Sequence, residues 1–277
     1  MRSYYADVES FENWCLKNGV DNPFPASVET VCQFLGDQGQ SKAPSTVQRR
    51  LYAIRKVHRL LGLSDPTYDE EITLSLRKVR RANTIRPRQA KGLTEVYLRR
   101  FIESEPDNSW GLRNRAMLAL GYELMTRRSE LIALRNGDLT ERKDGTLRVL
   151  IRRSKADRFG LGRIAFTSPR TASLLEEWLT YRGPQIEWLF CPIYQGKVID
   201  RGLEATAVRR VIKEAAKRCK LTANEVASFS GHSMRVGAAQ DLLKRGFDTA
   251  AIMRAGGWKS VNVLARYLEN AEQNVWA

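Results

Sequence analysis

The sequence predicts a mainly α-helical protein in two parts: a small all-helical N-terminal domain, then a larger, mostly helical domain holding one small antiparallel β-sheet. Three observations lead there. Apolar residues recur at three-to-four spacing through the first sixty positions. A basic segment containing a proline interrupts that pattern, and strand-like runs are confined to one stretch between residues 147 and 166. The expected boundaries are 1–84 for the first domain, 85–92 for a linker and 93–277 for the second.

In the first domain Tyr4, Val8, Phe11 and Cys15 define one helical face, and Val28, Val31 and Leu35 a second after the Pro-rich FPAS. The clearest run is Ser45 to Leu61. Val47, Leu51, Ile54, His58 and Leu61 share its apolar face, Arg49, Arg50, Lys56 and Arg59 lie mostly off it, and Gly62 is placed to cap it. His58, on the apolar face, reads as a packed histidine and not a ligand. From Arg77 to Lys91 the chain runs RKVRRANTIRPRQAK, seven basic residues and no acidic ones, which predicts a linker lying along a polyanion. Helical runs near 94–104 and 112–124 come next. Strands at 147–152 and 163–166 flank RSKADRFGLG, with Asp144-Gly145 as the turn before the first, and helices are expected from about 169 onward.

Composition narrows the function classes. The 277 residues carry 46 Lys and Arg against 31 Asp and Glu, a net charge of +15, with 43% hydrophobic and 28% charged residues. That is a folded chain with a polyanionic partner, nucleic acid before membrane. The charge is uneven: residues 1–40 have a net charge of −4 and residues 42–91 a net charge of +9. The second block therefore reads as a phosphate-facing stripe, with Arg49, Arg50, Lys56, Arg59, Arg80, Arg81, Arg86 and Arg88 as candidate DNA contacts. No apolar run is long enough to span a membrane and MRSYYADVESFENW has no signal-peptide core, so a cytoplasmic protein, nucleoid-associated when bound to DNA, is expected. Cys15, Cys32, Cys191 and Cys219 are far apart and read as free thiols. No ligand-spaced His and carboxylate cluster and no GxxxxGK[ST] loop occurs, so no metal or other cofactor is expected.

Four segments concentrate residues suited to phosphate chemistry. Arg127 and Glu130 stand three apart at a helix entry in MTRRSELIALR, and Lys155 falls in the strand-flanked segment RRSKAD. His232 and Arg235 share the first turn of a helix in SFSGHSMRVGAA, where they make a natural phosphate clamp. Trp258 and Tyr267 are nine apart in AGGWKSVNVLARYLEN. Singly, each admits a structural role: Arg127 as partner of Glu130, Trp258 as a core aromatic, Tyr267 as a half-buried helix residue.

Together, FSGHSMRVGAAQDLLKRGFDTAAIMRAGGWKSVNVLARYLEN, GYELMTRRSELIALR and RRSKA resemble the tyrosine recombinases, or phage-integrase family. The likeness extends through SFENWCLKNG and STVQRRLYAIRKVHRLLGL to nearly the whole chain. It implies an N-terminal core-binding domain that clamps DNA, a C-terminal catalytic domain, and a site-specific recombinase that is monomeric when free and homotetrameric on two short inverted-repeat sites. It implies Tyr267 as nucleophile, Arg127 and Arg235 as phosphate-binding arginines, and Lys155 as general acid for the leaving 5′ oxygen. His232 and Trp258 would bind the phosphate, His232 also assisting proton transfer, while Glu130 orients the cluster. The RxSE alignment selects Arg127 over its neighbour Arg128, and LEATAVRRVIKEAAKR resembles the major-groove helix, making Arg209 and Arg210 further DNA-contact candidates. Relative to some family members, a leading helix is expected to be missing or very short, and only ten residues come after Tyr267.

The chemistry suits these residue types. Two forked guanidinium groups meet the charge of a pentavalent phosphorane without a metal, and an aryl phosphodiester stores the strand's bond energy, so no ATP is needed. Two other readings compete: a type IB topoisomerase-like relaxase, and a non-enzymatic regulator, since DTAAIMRAGGWKSVNVLARYL also scans as helix-turn-helix. The regulator reading leaves Arg127, Lys155 and the His232/Arg235 pair unexplained.

Overall fold

The computed structural model describes residues 2–83, 89–152, 162–269 and 271. Lys155, Arg86 and Arg88 lie outside the described residues. The chain divides into two compact units, 1–87 and 88–277.

Among the described residues the first unit holds four α-helices: α1 (Arg2–Lys17), α2 (Val28–Ser41), α3 (Pro44–Leu61) and α4 (Glu70–Ala82). Helix α1 packs on α3, and α2 on α4. Phe11, Val31, Phe34, Leu35, Val47, Ile54 and Ile72 are fully enclosed between them, and the Phe11 ring meets those of Phe24 and Phe34 at 5.5 and 5.0 Å. Gly62 closes α3 in the left-handed conformation, as its sequence position predicts. His58 is fully buried, its Nε2 accepting the Ala26 N–H at 3.0 Å and its Nδ1 2.9 Å from the Ile54 carbonyl.

Several expectations need correction in this unit. The buried face of α1 is Asp7, Phe11 and Cys15, whereas Tyr4 is exposed, as is Leu61 at the end of α3. Two of the basic candidates also share one acid, Asp7. Arg49 grips its carboxylate with Nε at 2.6 Å and Nη2 at 2.9 Å, and Arg50, mostly covered, lies 3.7 Å away. Arg59 leans on Asp65 and Tyr68. The linker begins later than Arg77, because residues 77–82 finish α4. Asp69 caps that helix, Glu70 and Glu71 occupy its first turn and Arg80 and Arg81 its last, so both ends complement the helix dipole. Lys56, Arg80 and Arg81 remain exposed.

The second unit surrounds one buried helix. Helix α6 (Ser109–Glu123) is packed by α5 (Glu95–Glu103), α8 (Pro169–Arg182), α9 (Ala205–Arg218) and α11 (Ser233–Lys244), and Ala116 to Leu120 are almost wholly enclosed. After it come the single-turn α7 (Arg128–Leu131) and an antiparallel sheet in the order β1 (Leu139–Glu141), β2 (Leu147–Ile151), β3 (Arg163–Phe166). Val149 pairs with Leu139 on one side and Ala165 on the other, and Leu147, Val149 and Ile151 all point into the core. The sheet thus has one strand more than predicted. A second hairpin, β4 (Ile193–Tyr194) with β5 (Lys197–Val198), interrupts the stretch expected to be all helical, turning through Gln195 and Gly196 at positive φ. The chain ends its described course in α10 (Ala223–Ser228), α11, α12 (Thr249–Gly256) and α13 (Val261–Leu268). The four cysteines are free. Among the described residues no helix is long and apolar enough to cross a membrane.

Lys91, counted in the basic segment, is held within the second unit. Its Nζ stands 4.6 Å from the Tyr97 ring centroid and 3.4 Å from Glu225.

Removing Asp7 leaves the covered Arg50 without its acid. Asp7→Ala is expected to lower stability by about 1–3 kcal/mol, while exposed Lys56→Ala changes it by less than about 0.5 kcal/mol. Urea denaturation of both variants checks this, and equal midpoints would show that the Asp7 cluster contributes nothing.

Candidate active site

The site is assembled where three chain junctions meet. The first is the exit of α6. Leu124 caps that helix, Met125 takes a positive φ of 46°, and Arg127 then caps α7. Glu130, almost fully buried, turns back on Arg127. Its carboxylate accepts the Arg127 backbone N–H at 3.0 Å and Nη1 at 2.5 Å. A helix N-terminus favours this acid, and the acid in turn fixes the guanidinium, leaving it partly open to solvent.

The second junction is the entry of α11, with His232 at its cap and Arg235 in its first turn. Arg235 is 1% exposed. One Nη1 hydrogen bond goes to the Met125 carbonyl, and the guanidinium carbon lies 3.8 Å from the Trp258 ring centroid. Nε and Nη2 are buried without a partner, as is the Trp258 indole nitrogen. Burial first, and the neighbouring positive charge of Arg127 second, lower the Arg235 pKa to about 10. With two spare donors and, among the described residues, no carboxylate at ion-pair distance, this buried cation is costly by itself and suits an incoming anion. His232 is pushed below its usual pKa by burial and by Arg128, Arg235 and Arg127, so it is neutral near pH 7.

The third junction joins α12 to α13. Trp258, in the turn, is buried against Arg235, and the Tyr267 ring on α13 meets it edge-on at 5.3 Å and 68°. Tyr267 is half-buried. Its carbonyl accepts Gln240 Nε2 of α11 at 3.2 Å, and fully buried Leu264 seats the helix. The pair α12 and α13 has the helix-turn-helix outline seen in the sequence, but its turn residue is spent inside the site.

Arg127, Glu130, His232, Arg235, Trp258 and Tyr267 are thus brought together from distant parts of the chain, while Arg209 and Arg210 stand exposed on α9, on the side away from its buried Val208, Val211 and Ile212. Sequence reasoning missed Arg163. It is half-buried, and loss of solvent lowers its pKa to about 10, with Glu130 opposing and Arg127 reinforcing that shift. The signal was present: a lone arginine opening the apolar strand RIAF. Among the described residues no three His, Cys, Asp or Glu side chains are grouped to hold a metal ion.

Residues 91–274 match the model of the phage integrase family. Recombinase cre of Escherichia phage P1 is 28% identical over 285 residues, covering 97% of this chain and 83% of the relative. The integrase/recombinase xerD homolog of Selenomonas ruminantium is 30% identical, covering 97% and 81%. In fold, the chain is similar to XerH site-specific recombinase bound to palindromic difH substrate, with a TM-score of 0.70 at 18% identity over 96% of this chain and 75% of that one. It is also similar to a lambda integrase dimer bound to a COC′ core site, with a TM-score of 0.62 at 15% identity over 98% and 71%. With a family match over nearly all of the second unit and relatives aligned along nearly the full chain, this protein belongs to the phage integrase family and is a tyrosine recombinase, a DNA strand-exchange enzyme.

Proposed function

We propose that the chain is a site-specific recombinase that cuts and rejoins DNA through a 3′-phosphotyrosyl intermediate, working as a homotetramer on two short inverted-repeat sites. The observation that carries the chemistry is the set of unpaired donors on Arg235 and Trp258 beside the Tyr267 ring. A scissile phosphate seated there takes hydrogen bonds from Arg235 Nε and Nη2 and the Trp258 indole, and charge from Arg127, which Glu130 holds in place.

The Tyr267 oxygen attacks phosphorus and the bond to the 5′ oxygen breaks. A free phenol ionises near pH 10, so attack at neutral pH needs that positive field and a base. Neutral His232 is suited to take the proton. Lys155 gives a proton to the departing 5′ oxygen. The aryl phosphodiester conserves the bond energy, and the 5′-hydroxyl of another strand reverses the step, expelling Tyr267. Two guanidinium groups supply the charge a metal would otherwise bring.

The first unit serves as a DNA clamp in this reading, through exposed Lys56, Arg80 and Arg81, and α9 offers Arg209 and Arg210 to the duplex. The relatives support DNA as the partner: a XerH recombinase is known with its difH substrate and a lambda integrase dimer with its core site.

Selection of bound, then cleaved, duplexes from a random library should recover a defined site with two inverted halves. On such a site nicked near the cleavage point, wild-type protein should trap a covalent 3′ adduct and Tyr267→Phe should form none; an adduct in that variant would remove Tyr267 from its role. Arg127→Ala and Arg235→Ala are each expected to slow adduct formation by on the order of 10²-fold or more with site binding retained, measured by single-turnover kinetics alongside a gel-shift titration. Parallel loss of binding would instead make them DNA anchors. Lys56→Ala should weaken binding similarly at all sequences and reduce the slope of log affinity against log salt by about one. An unchanged slope would take Lys56 off the phosphate.

A further inference from the structure

Arg163, the first residue of β3, has an unusual set of partners. Among the described residues no carboxylate lies at ion-pair distance, and both arms of its guanidinium go to main-chain carbonyls. Nη1 donates to Ala255 at 2.7 Å and Nη2 to Leu124 at 2.5 Å. Leu124 is the cap residue at the end of α6, and Ala255 belongs to the last turn of α12. One cation therefore closes two helix C-termini, whose free carbonyls carry partial negative charge. Gly257 ends α12 with φ at +67° directly against this side chain, and a Cβ there would stand 2.8 Å from Arg163 Cδ. Only a glycine lets the chain turn toward Trp258 while the arginine passes alongside.

Both helix ends lead straight into the site. Beyond Leu124 come Met125, whose carbonyl holds Arg235, and then Arg127. Beyond Ala255 comes Trp258, whose ring covers Arg235. We propose that Arg163 is a positioning residue for strand cleavage, tying the α6 exit to the α12 exit so that Arg127, Arg235 and Trp258 stay in register around one anion. The proposal rests on the reading of that cradle as the seat of the scissile phosphate. A lysine keeps the charge but not the planar fork that spans two carbonyls, so the two substitutions separate charge from geometry.

The test uses the full chain with Arg163→Ala and Arg163→Lys, on the nicked duplex recovered by selection. Both variants should bind it about as wild type does and form the covalent adduct slower by on the order of 10-fold to 100-fold, as expected when reacting groups are slightly misplaced. Guanidinium ion at non-denaturing concentration and constant ionic strength should restore much of the rate to Arg163→Ala. Without DNA, amide hydrogen exchange at residues 124–127 and 255–258 should quicken in Arg163→Ala while that of α1 to α4 is unchanged. Wild-type adduct rates in both variants, or unchanged exchange at both segments, would overturn the proposal. So would rate, binding and melting temperature falling in parallel without guanidinium recovery, which marks a residue that only stabilises the fold. If wild-type protein forms no adduct, the reading of the cradle fails, and hydrogen exchange alone decides whether Arg163 is the tie.

Discussion

A buried guanidinium with, among the described residues, no acid at ion-pair distance is the constraint around which the second unit is organised. Taking Arg235 out of water is expensive, and the fold returns only part of what is lost, through one carbonyl of Met125 and the face of Trp258. The acid that stands closest in function, Glu130, is committed to Arg127. Two Arg235 donors and the Trp258 indole are left over. A fold tolerates such a deficit where a ligand completes it, and a phosphodiester supplies both the charge and the oxygens.

Holding that cation requires three chain junctions to stop at defined places. The left-handed Met125 turns its carbonyl onto Arg235, the cap at His232 sets the arginine in the first turn of α11, and the α12 to α13 turn lays Trp258 over it. Arg163 acts on two of those junctions at once. The nucleophile candidate is then carried on a short helix seated by Leu264 and a Gln240 hydrogen bond. The cradle thus faces a tyrosine on α13.

The net charge of +15 is not a map of the DNA surface. Arg49 and Arg50 face Asp7, Lys91 rests on Tyr97 and Glu225, and buried Arg113 and Arg182, with half-buried Arg163, donate to carbonyls. These cations stabilise the chain's own turns and helix ends. The excess that meets solvent is carried by side chains such as Lys56, Arg80, Arg81, Arg209 and Arg210, which lie on exposed helix faces.

The long helices, the central strands β2 and β3, and the grouping of the site candidates into short motifs are legible in the chain alone. Apolar spacing marks α3 with its Gly62 cap, and the His232/Arg235 pair is three apart on one helix, so each is a local pattern. Elements too short to show a period escaped: β1 has three residues, and β4 and β5 two each. The end of α4 escaped because its run of basic residues reads as a linker until Asp69, Glu70 and Glu71 are seen at the opposite pole of the same helix. Which charges are spent follows from packing alone. Asp7 lies 42 residues from Arg49, and Arg163 lies 39 from Leu124 and 92 from Ala255. Pairings across such distances leave no periodic trace in the chain, because they depend on where separately encoded helices come to rest.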